Sequence, residues 1–200
     1  MRRLWPAALA LLACAFTIDL SPHGWKMCCD SAALSTSPDG GVNMAFPIWP
    51  KNIGYLYRQT PADLAGTLVV EFRVETIGAP IFRWDTEPTN TCPVPAMVRP
   101  VFGRWDRGNK NIAFAERWWS KNPYSYTLAA GVATIAVPMD PLFWSGVYGQ
   151  SATDDFAAWE YTRHHAGLVG VTFGGGCFFA HGVGVEGGTA AFVLTRWEAQ

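Results

Sequence analysis

Aromatic side chains that stand next to polar ones are the residues of this sequence best suited to bind a ligand. The chain of 200 residues contains 10 Trp, 12 Phe and 6 Tyr. An exposed aromatic ring packs against the CH face of a sugar, while a neighbouring Asp, Arg or Asn side chain bonds the hydroxyl groups. We therefore predict a glycan-binding set that contains such pairs: Trp84, Asp85, Arg104, Trp105, Trp119, Tyr148 and His181.

Each of these residues also has a purely structural interpretation. Large aromatic rings most often fill a protein core. In the predicted strand over 111–119, Trp118 and Trp119 must point to opposite faces, because side chains alternate along a strand. One ring is therefore expected in the core, and the other is exposed or lines a groove. For His181, the alternative is a hydrogen bond to the backbone of its glycine-rich loop.

The five cysteines suggest disulfides rather than a metal site. Cys14 falls in a predicted targeting segment, and the other four, Cys28, Cys29, Cys92 and Cys177, allow three complete pairings. Exported proteins can keep disulfides, and a Cys92–Cys177 bridge is expected if the two predicted loops that hold them share one end of the fold. Adjacent cysteines lack the usual spacing of zinc ligands. We expect neither a metal nor another cofactor.

Signals for enzymatic chemistry are weak. The glycines at 174–176 are not followed by the Lys and Ser or Thr of a phosphate loop, so they are interpreted as a turn between strands. His164-His165 is interpreted as a solvated helix end. A glycosidase needs two carboxylates across a cleft, and no spacing singles out a pair. We predict no catalytic residue and leave open whether the chain is an enzyme. The acidic candidates are Asp85, Glu87, Asp106, Glu116, Asp140 and Glu160.

Hydrophobic alternation identifies the elements that must position these side chains. Over 66–76, one face consists of Leu68, Val70, Phe72 and Val74, and charged residues occupy most of the positions between them. A period of two residues is that of a strand with one face in a core and the other toward water. The 20 Gly and 14 Pro are scattered, and such punctuation is typical of short strands and many turns.

The remaining pattern predicts an all-β fold, a two-sheet antiparallel sandwich of the jelly-roll type with one short helix. The helix begins after Ser151 or Thr153, ends before Gly167 and is expected to close one end of the sandwich. A turn is predicted at 186–188. Further strands are predicted at 52–58, 80–84, 96–105, 111–119, 132–138, 168–173 and 189–198.

Two stretches resemble known proteins. They are 168–182, which reads LVGVTFGGGCFFAHG, and the closing strand from Gly187, which reads GGTAAFVLTRW. Both resemble uncharacterised secreted bacterial proteins with a jelly-roll sandwich. The order of strand, glycine-rich loop and final strand resembles carbohydrate-binding modules of the galactose-binding-like type. The resemblance covers 45–198 in layout and is specific only at 174–182. It implies the fold and, by analogy, sugar binding, but it assigns no binding residue.

The N-terminus has the pattern of a targeting segment. Arg2 and Arg3 precede an apolar stretch over 7–18, which is too short for a bilayer span of about 20 residues. We predict a signal peptide over 1–15, or a lipoprotein signal with a lipid anchor at Cys14; the alternative is an N-terminal core helix.

The predicted organisation is therefore an exported protein with an irregular leader over 16–44 and a β-sandwich domain over 45–200. Its location would be periplasmic, extracellular or, with the lipid anchor, the outer membrane. No segment is expected to span a membrane.

Charge excludes nucleic acid as a partner. Removal of residues 1–15 leaves 13 basic and 16 acidic side chains, a net charge of −3, whereas phosphate binding needs a concentrated basic surface. Three functions stay open: a secreted noncatalytic glycan-binding protein, a structural or adhesive surface protein with a protein partner, and a polysaccharide hydrolase or lyase. An Arg, Tyr and His cluster in a concave sheet would favour the last.

Overall fold

Strands dominate the computed structural model, which describes residues 16–29, 33–84, 95–104, 116–177 and 179–200. The described strands are β1 (Phe16–Thr17), β2 (Trp25–Cys29), β3 (Ser35–Thr36), β4 (Val42–Ala45), β5 (Ile53–Arg58), β6 (Thr67–Arg83), β7 (Ala96–Gly103), β8 (Arg117–Ser120), β9 (Tyr126–Thr127), β10 (Gly131–Pro138), β11 (Trp144–Ser145), β12 (Leu168–Gly175) and β13 (Gly184–Ala199). The described helices are α1 (Phe156–His164) and three single 3-10 turns, Pro22–Gly24, Asn122–Tyr124 and Pro141–Phe143.

The strands form two antiparallel sheets. The six-stranded sheet has the order β10-β6-β13-β4-β3, and β1 also pairs with β13. The seven-stranded sheet has the order β11-β8-β7-β12-β5-β2, and β9 also pairs with β7. The predicted all-β sandwich of two antiparallel sheets with one short helix is confirmed. None of the described helices has the length and apolar character that crossing a membrane requires.

The long strand β6 confirms the alternation predicted for its first half. Leu68, Val70, Phe72 and Val74 are at most 3% exposed. The charged residues between them lie on the outer face, where Arg73 forms ion pairs with Asp39 and Glu75. The separate strand predicted at 80–84 is the continuation of β6, which pairs with β13 along most of its length.

The turn predicted at 186–188 is wrong, because these residues lie inside β13. The pairing with β6 shifts register between Glu186 and Gly188, so the glycines form a bulge rather than a chain reversal. Gly187 has a φ of +77°, and Gly78 in the opposing strand has a φ of +78°. Glycine accepts this conformation without steric cost, which explains why a strand can contain a sequence that looks like a turn.

The leader predicted as irregular over 16–44 is also corrected, because four strands begin in it. β2 extends the seven-stranded sheet by pairing with β5, and β4 extends the six-stranded sheet by pairing with β13. Trp25, Val42 and Met44 are buried. These strands have two to five residues, which is too short for a hydrophobic period to be recognised in the sequence.

Aromatic rings connect the two sheets inside the sandwich. Consecutive ring centroids lie 4.9–5.5 Å apart, mostly in edge-to-face geometry. Such pairs contribute about 0.5–1.5 kcal/mol each beyond the area they bury. In order of contact, the rings are Phe82, Phe46, Phe173, Phe192, Phe72 and Tyr126.

The predictions for the helix α1 and for the neighbouring residues Trp118 and Trp119 are confirmed in part. Trp118 lies in the main core, and Trp119 points to the opposite face, as expected for neighbours in a strand. Trp159 of α1 is buried in the main core, so the helix packs on the sandwich through this ring. The predicted caps are not used, since the N-cap residue is Asp155 and its side chain makes no capping hydrogen bond.

Replacement of Phe72 with Ala should lower the free energy of unfolding by about 3–5 kcal/mol, because the deleted ring is fully buried between two other rings. Urea unfolding followed by tryptophan fluorescence measures the change. The matched control is Ile77→Ala in the same strand, where the side chain is 78% exposed and the loss should stay below about 1 kcal/mol. Equal losses for the two variants would contradict the assignment of the inner face.

Candidate functional site

The outer face of the seven-stranded sheet carries a second apolar cluster, separate from the main core. Val101, Trp119 and Leu168 are buried there. They come from β7, β8 and β12, which are neighbours in this sheet. An outward face of a sheet normally meets water, so something must cover these side chains. The partly buried residues packed against them are Tyr55, Tyr57, Val147, Phe179 and Ala180.

The cover comes in part from the described residues after β12, 176–177 and 179–181, which we call the crossing segment. It packs on the sheet through Phe179, whose ring centroid lies 6.5 Å from that of Trp119. Gly54 of β5 permits the close approach, because a Cβ atom there would lie 2.8 Å from the carbonyl oxygen of Ala180. The glycine-rich stretch recognised in the sequence thus lets the chain return across its own sheet.

A cavity of about 270 Å³ opens between the crossing segment, the sheet and the loop that follows β11. This cavity, the outer-face pocket, combines aromatic rings with groups that can donate hydrogen bonds. Its described lining residues contain no Asp or Glu. They are Tyr55, Arg117, Trp119, Gly146, Val147, Gly149, Cys177, Phe179, Ala180 and His181.

The loop beside the pocket is held by a compact set of hydrogen bonds. The amide of Gly146 donates to the carbonyl of Gln150 over 2.9 Å, and the amide of Gly149 donates to the carbonyl of Gly146 over 3.0 Å. The side-chain oxygen of Gln150 accepts from the amide of Tyr148 over 2.9 Å. These bonds present the Tyr148 ring to solvent, 78% exposed, between two residues that line the pocket.

Tyr55 and Arg117 interact inside the pocket. Burial raises the pKa of the Tyr55 phenol, and the charge and hydrogen bond of the Arg117 guanidinium oppose that rise. The phenol is therefore protonated at neutral pH, when it can donate a hydrogen bond. The pocket consequently offers a phenol, a guanidinium and the imidazole of His181 to a bound molecule.

A buried cation lies next to the pocket. Arg99 of β7 has no exposed surface, and its guanidinium carbon lies 3.7 Å from the ring centroid of Phe179. Nη1 donates to the carbonyl of Ser120 over 2.8 Å, and Nη2 donates to the side-chain oxygen of Asn122 over 3.0 Å. Burial lowers the pKa of Arg99 from its usual value to about 9. The guanidinium therefore stays charged at neutral pH although no carboxylate of the described residues pairs with it.

Several polar atoms of this region are buried and have no hydrogen-bond partner among the described residues. They include Nε of Arg99, Nε1 of Trp119 and Oγ1 of Thr172. Thr172 stands directly opposite Arg99 in the pairing of β12 with β7. Buried polar atoms usually have partners, so those that lack one point to a bound water or ligand.

The pocket gathers only some of the predicted ligand-binding residues. Trp119 and His181 line it, and Tyr148 stands beside it. Trp84 packs partly buried against the main core, close to Gly175, and does not line the pocket. Arg104 forms an ion pair with Glu116 over 3.5 Å, and its guanidinium lies over the ring of Tyr161. Asp85 and Trp105 lie outside the described residues.

The sequence-based reasoning missed four residues of this region. Tyr55 and Arg117 have the pattern of ordinary strand positions, and Phe179 stands among apolar residues in a glycine-rich stretch that predicts only a turn. Arg99 carried a usable signal, since it interrupts the otherwise apolar run Met97 to Phe102. A charged residue is almost never fully buried unless it has a partner, so a lone arginine in such a run deserved a functional hypothesis.

Cys28 and Cys177 are both disulfide-bonded. Cys92, the partner predicted for Cys177, lies outside the described residues, so the Cys92–Cys177 pairing stays a prediction. Among the described residues, no three His, Cys, Asp or Glu side chains are arranged to hold a metal ion.

Comparison with known proteins gives no assignment. No protein-family model matches the chain, and neither the curated proteins nor the solved structures contain a significant match.

Replacement of Arg99 with Met should leave the free energy of unfolding unchanged within about 1 kcal/mol, or raise it. The reason is that the cost of desolvating a buried charge with no anionic partner among the described residues offsets much of the stabilisation from its hydrogen bonds. Met also keeps most of the side-chain volume. Arg99→Ala is the control for volume and should be less stable than Arg99→Met by about 2 kcal/mol, owing to the cavity. A loss above about 3 kcal/mol in the Met variant would show that the contacts of the guanidinium outweigh its desolvation.

Proposed function

We propose that the protein is a noncatalytic glycan-binding protein and that the outer-face pocket holds the sugar. The observation that carries this proposal is the composition of the pocket, where aromatic rings and hydrogen-bond donors face one cavity of about 270 Å³. Small-molecule sites commonly have this character, mostly apolar walls with a few placed polar groups.

The aromatic residues would supply the packing surface. Phe179 lines the pocket, and Tyr148, whose ring is exposed, lies in the chain between Val147 and Gly149, which also line it. Sugar CH groups can pack on these rings while the polar groups of Tyr55, Arg117 and His181 bond the hydroxyls. Because the neighbouring loop is already fixed by its hydrogen bonds, little conformational freedom would be lost on binding.

The described lining residues, which contain no carboxylate, favour binding over hydrolysis. Hydrolysis of a glycosidic bond generally uses two carboxylates placed across the sugar. None of the described residues that line the pocket is an Asp or Glu.

Export belongs to the same proposal. Phe16 and Thr17 form β1, which pairs with Ala199 and Glu198 of β13. Cleavage after Ala15 would leave this strand complete. The mass of the protein recovered from a secreting host tests the idea: we expect a chain that starts at Phe16, whereas a lipidated Cys14 would add the mass of the lipid.

Binding to an immobilised glycan array, followed by calorimetry on the best ligand, tests the main proposal. Filling the pocket through Ala180→Phe should weaken binding at least about tenfold, because the added ring occupies the cavity. Ala79→Phe is the matched control, since Ala79 is exposed in β6 of the other sheet, and its affinity should equal that of the wild type. Absence of any glycan ligand for the wild type would refute the proposal.

The aromatic edge has its own test. Tyr148→Ala should weaken glycan binding about twofold to tenfold through loss of one stacking surface. Tyr161→Ala is the control, because Tyr161 is also exposed but stands on α1, stacked on His165. Titration calorimetry compares the two. Equal losses would show that the ligand does not use the edge formed by Tyr148.

A second candidate, cleavage of a uronic-acid glycan by elimination, is favoured by one observation. Tyr55, Arg117 and His181 line the same cavity. In such a reaction a cation neutralises the sugar carboxylate, a base removes the proton beside it, and the leaving oxygen is protonated as its bond to the ring breaks. The product is unsaturated, so ultraviolet absorbance detects it. If the wild type increases the ultraviolet absorbance of a uronic-acid glycan and Tyr55→Phe abolishes that increase, the protein is a lyase and the noncatalytic proposal is wrong.

A further inference from the structure

The outer-face pocket stands next to a positive charge, that of Arg99, which no acidic side chain of the described residues compensates. Within the described residues, the Arg99 guanidinium contacts uncharged groups. These are the carbonyl of Ser120, the side-chain oxygen of Asn122, the sulfur of Met97 and the ring of Phe179. No Asp or Glu of the described residues forms an ion pair with it.

This arrangement differs from that of other arginines in the described part of the chain. Arg58, Arg73, Arg83 and Arg196 each form an ion pair with a carboxylate at the surface. Arg99 is instead buried in the middle of the seven-stranded sheet, between β12 and β8. Burying a charge costs folding free energy unless a partner repays it. A partner that is not part of the chain would do so.

Phe179 links this charge to the pocket. Its ring contacts the guanidinium at 3.7 Å and is also one of the lining residues. The charge therefore lies within a few ångströms of the cavity wall, well inside the screening length of about 8 Å at physiological salt. Because it is buried, its field is screened less than that of a surface arginine.

The other polar groups of the pocket also favour a negatively charged ligand. The guanidinium of Arg117 is a cation, the imidazole of His181 can donate a hydrogen bond, and no acidic residue stands among the described lining residues. The unpartnered Nε of Arg99 and Nε1 of Trp119 are hydrogen-bond donors. A region with surplus donors and positive charge is complementary to oxygen atoms that carry negative charge.

We infer that the ligand of the outer-face pocket is an acidic glycan, one whose sugars carry carboxylate or sulfate groups, and that Arg99 sets this preference through its charge. The inference rests on the proposed function and narrows it from glycans in general to anionic ones. A neutral sugar would gain nothing from a buried cation, whereas an acidic sugar supplies the missing counter-charge.

Matched pairs of oligosaccharides test the inference by calorimetry. One pair is oligogalacturonate and its methyl ester, and the other is a sulfated galactan oligosaccharide and its desulfated form. We expect the anionic member of at least one pair to bind about tenfold tighter or more, and the advantage to shrink between about 0.1 M and about 1 M NaCl. The two pairs distinguish a carboxylate from a sulfate as the recognised group.

Variants then locate the source of the preference. Arg99→Met should reduce the advantage of the anionic member severalfold without changing the affinity for the neutral member. Arg99→Lys should retain part of the advantage. Arg73→Met removes the same charge from the outer face of the six-stranded sheet, where Arg73 pairs with Glu75, and should leave both affinities unchanged.

The possible failures are distinguishable. If neutral glycans bind in the pocket as tightly as their acidic counterparts, the inference is wrong and the proposed function stands. If no glycan of either kind binds, both are wrong. If the acidic preference persists in Arg99→Met at full size, the preference is real but Arg99 does not set it, which overturns the assignment of this residue. The comparison of charged and neutral ligands needs only the wild type, so it holds even if a variant does not fold.

Discussion

Closing two sheets over one interior is the constraint on which the rest of this structure depends. Phe72 and Phe192 come from neighbouring strands of the six-stranded sheet, and Phe173 comes from the centre of the seven-stranded one. Their rings meet at 4.9–5.0 Å. A shift of one residue in the register of β6, β12 or β13 would turn these rings outward. The aromatic contacts thus fix which face of each sheet is inside, and by default which face is left for function.

The outer face of the seven-stranded sheet gains its special character from that choice. Because β12 places Phe173 inward, Thr172 and Gly174 point the other way, and the chain leaves the strand through glycines that let it fold back. Phe179 of the crossing segment then packs on Arg99, and both Arg99 and its cross-strand neighbour Thr172 are buried. A position that would be solvated in a bare sheet becomes a low-dielectric site with a charge in it.

At this site, the groups proposed to bind a ligand lower the stability of the fold. Among the described residues, the charge of Arg99 has no acidic partner and several polar atoms beside it have no hydrogen-bond partner, and such groups are costly in a folded protein. Deviations of this kind concentrate at functional sites, where a ligand supplies what the fold leaves out. The main core shows the contrast, since its largest side chains are aromatic and aliphatic and pack against each other. The different character of the two clusters is the physical reason why we propose a binding site on the outer face and not in the main core.

The sequence by itself determined the β-rich composition, the two faces of β6, the opposite orientation of Trp118 and Trp119 and the presence of one short helix. All of these follow from local periodicity and turn chemistry, which act between residues close in the chain. It misjudged 16–44 and 186–188, where strands are short or contain glycine and take their structure from pairing with distant strands. Only the tertiary structure decided which polar residues share a site. Tyr55, Arg99, Arg117 and Phe179 are distant in sequence and meet because three strands and a returning segment stack on one face. Strand order and the path of the crossing segment are long-range properties, and no local pattern encodes them.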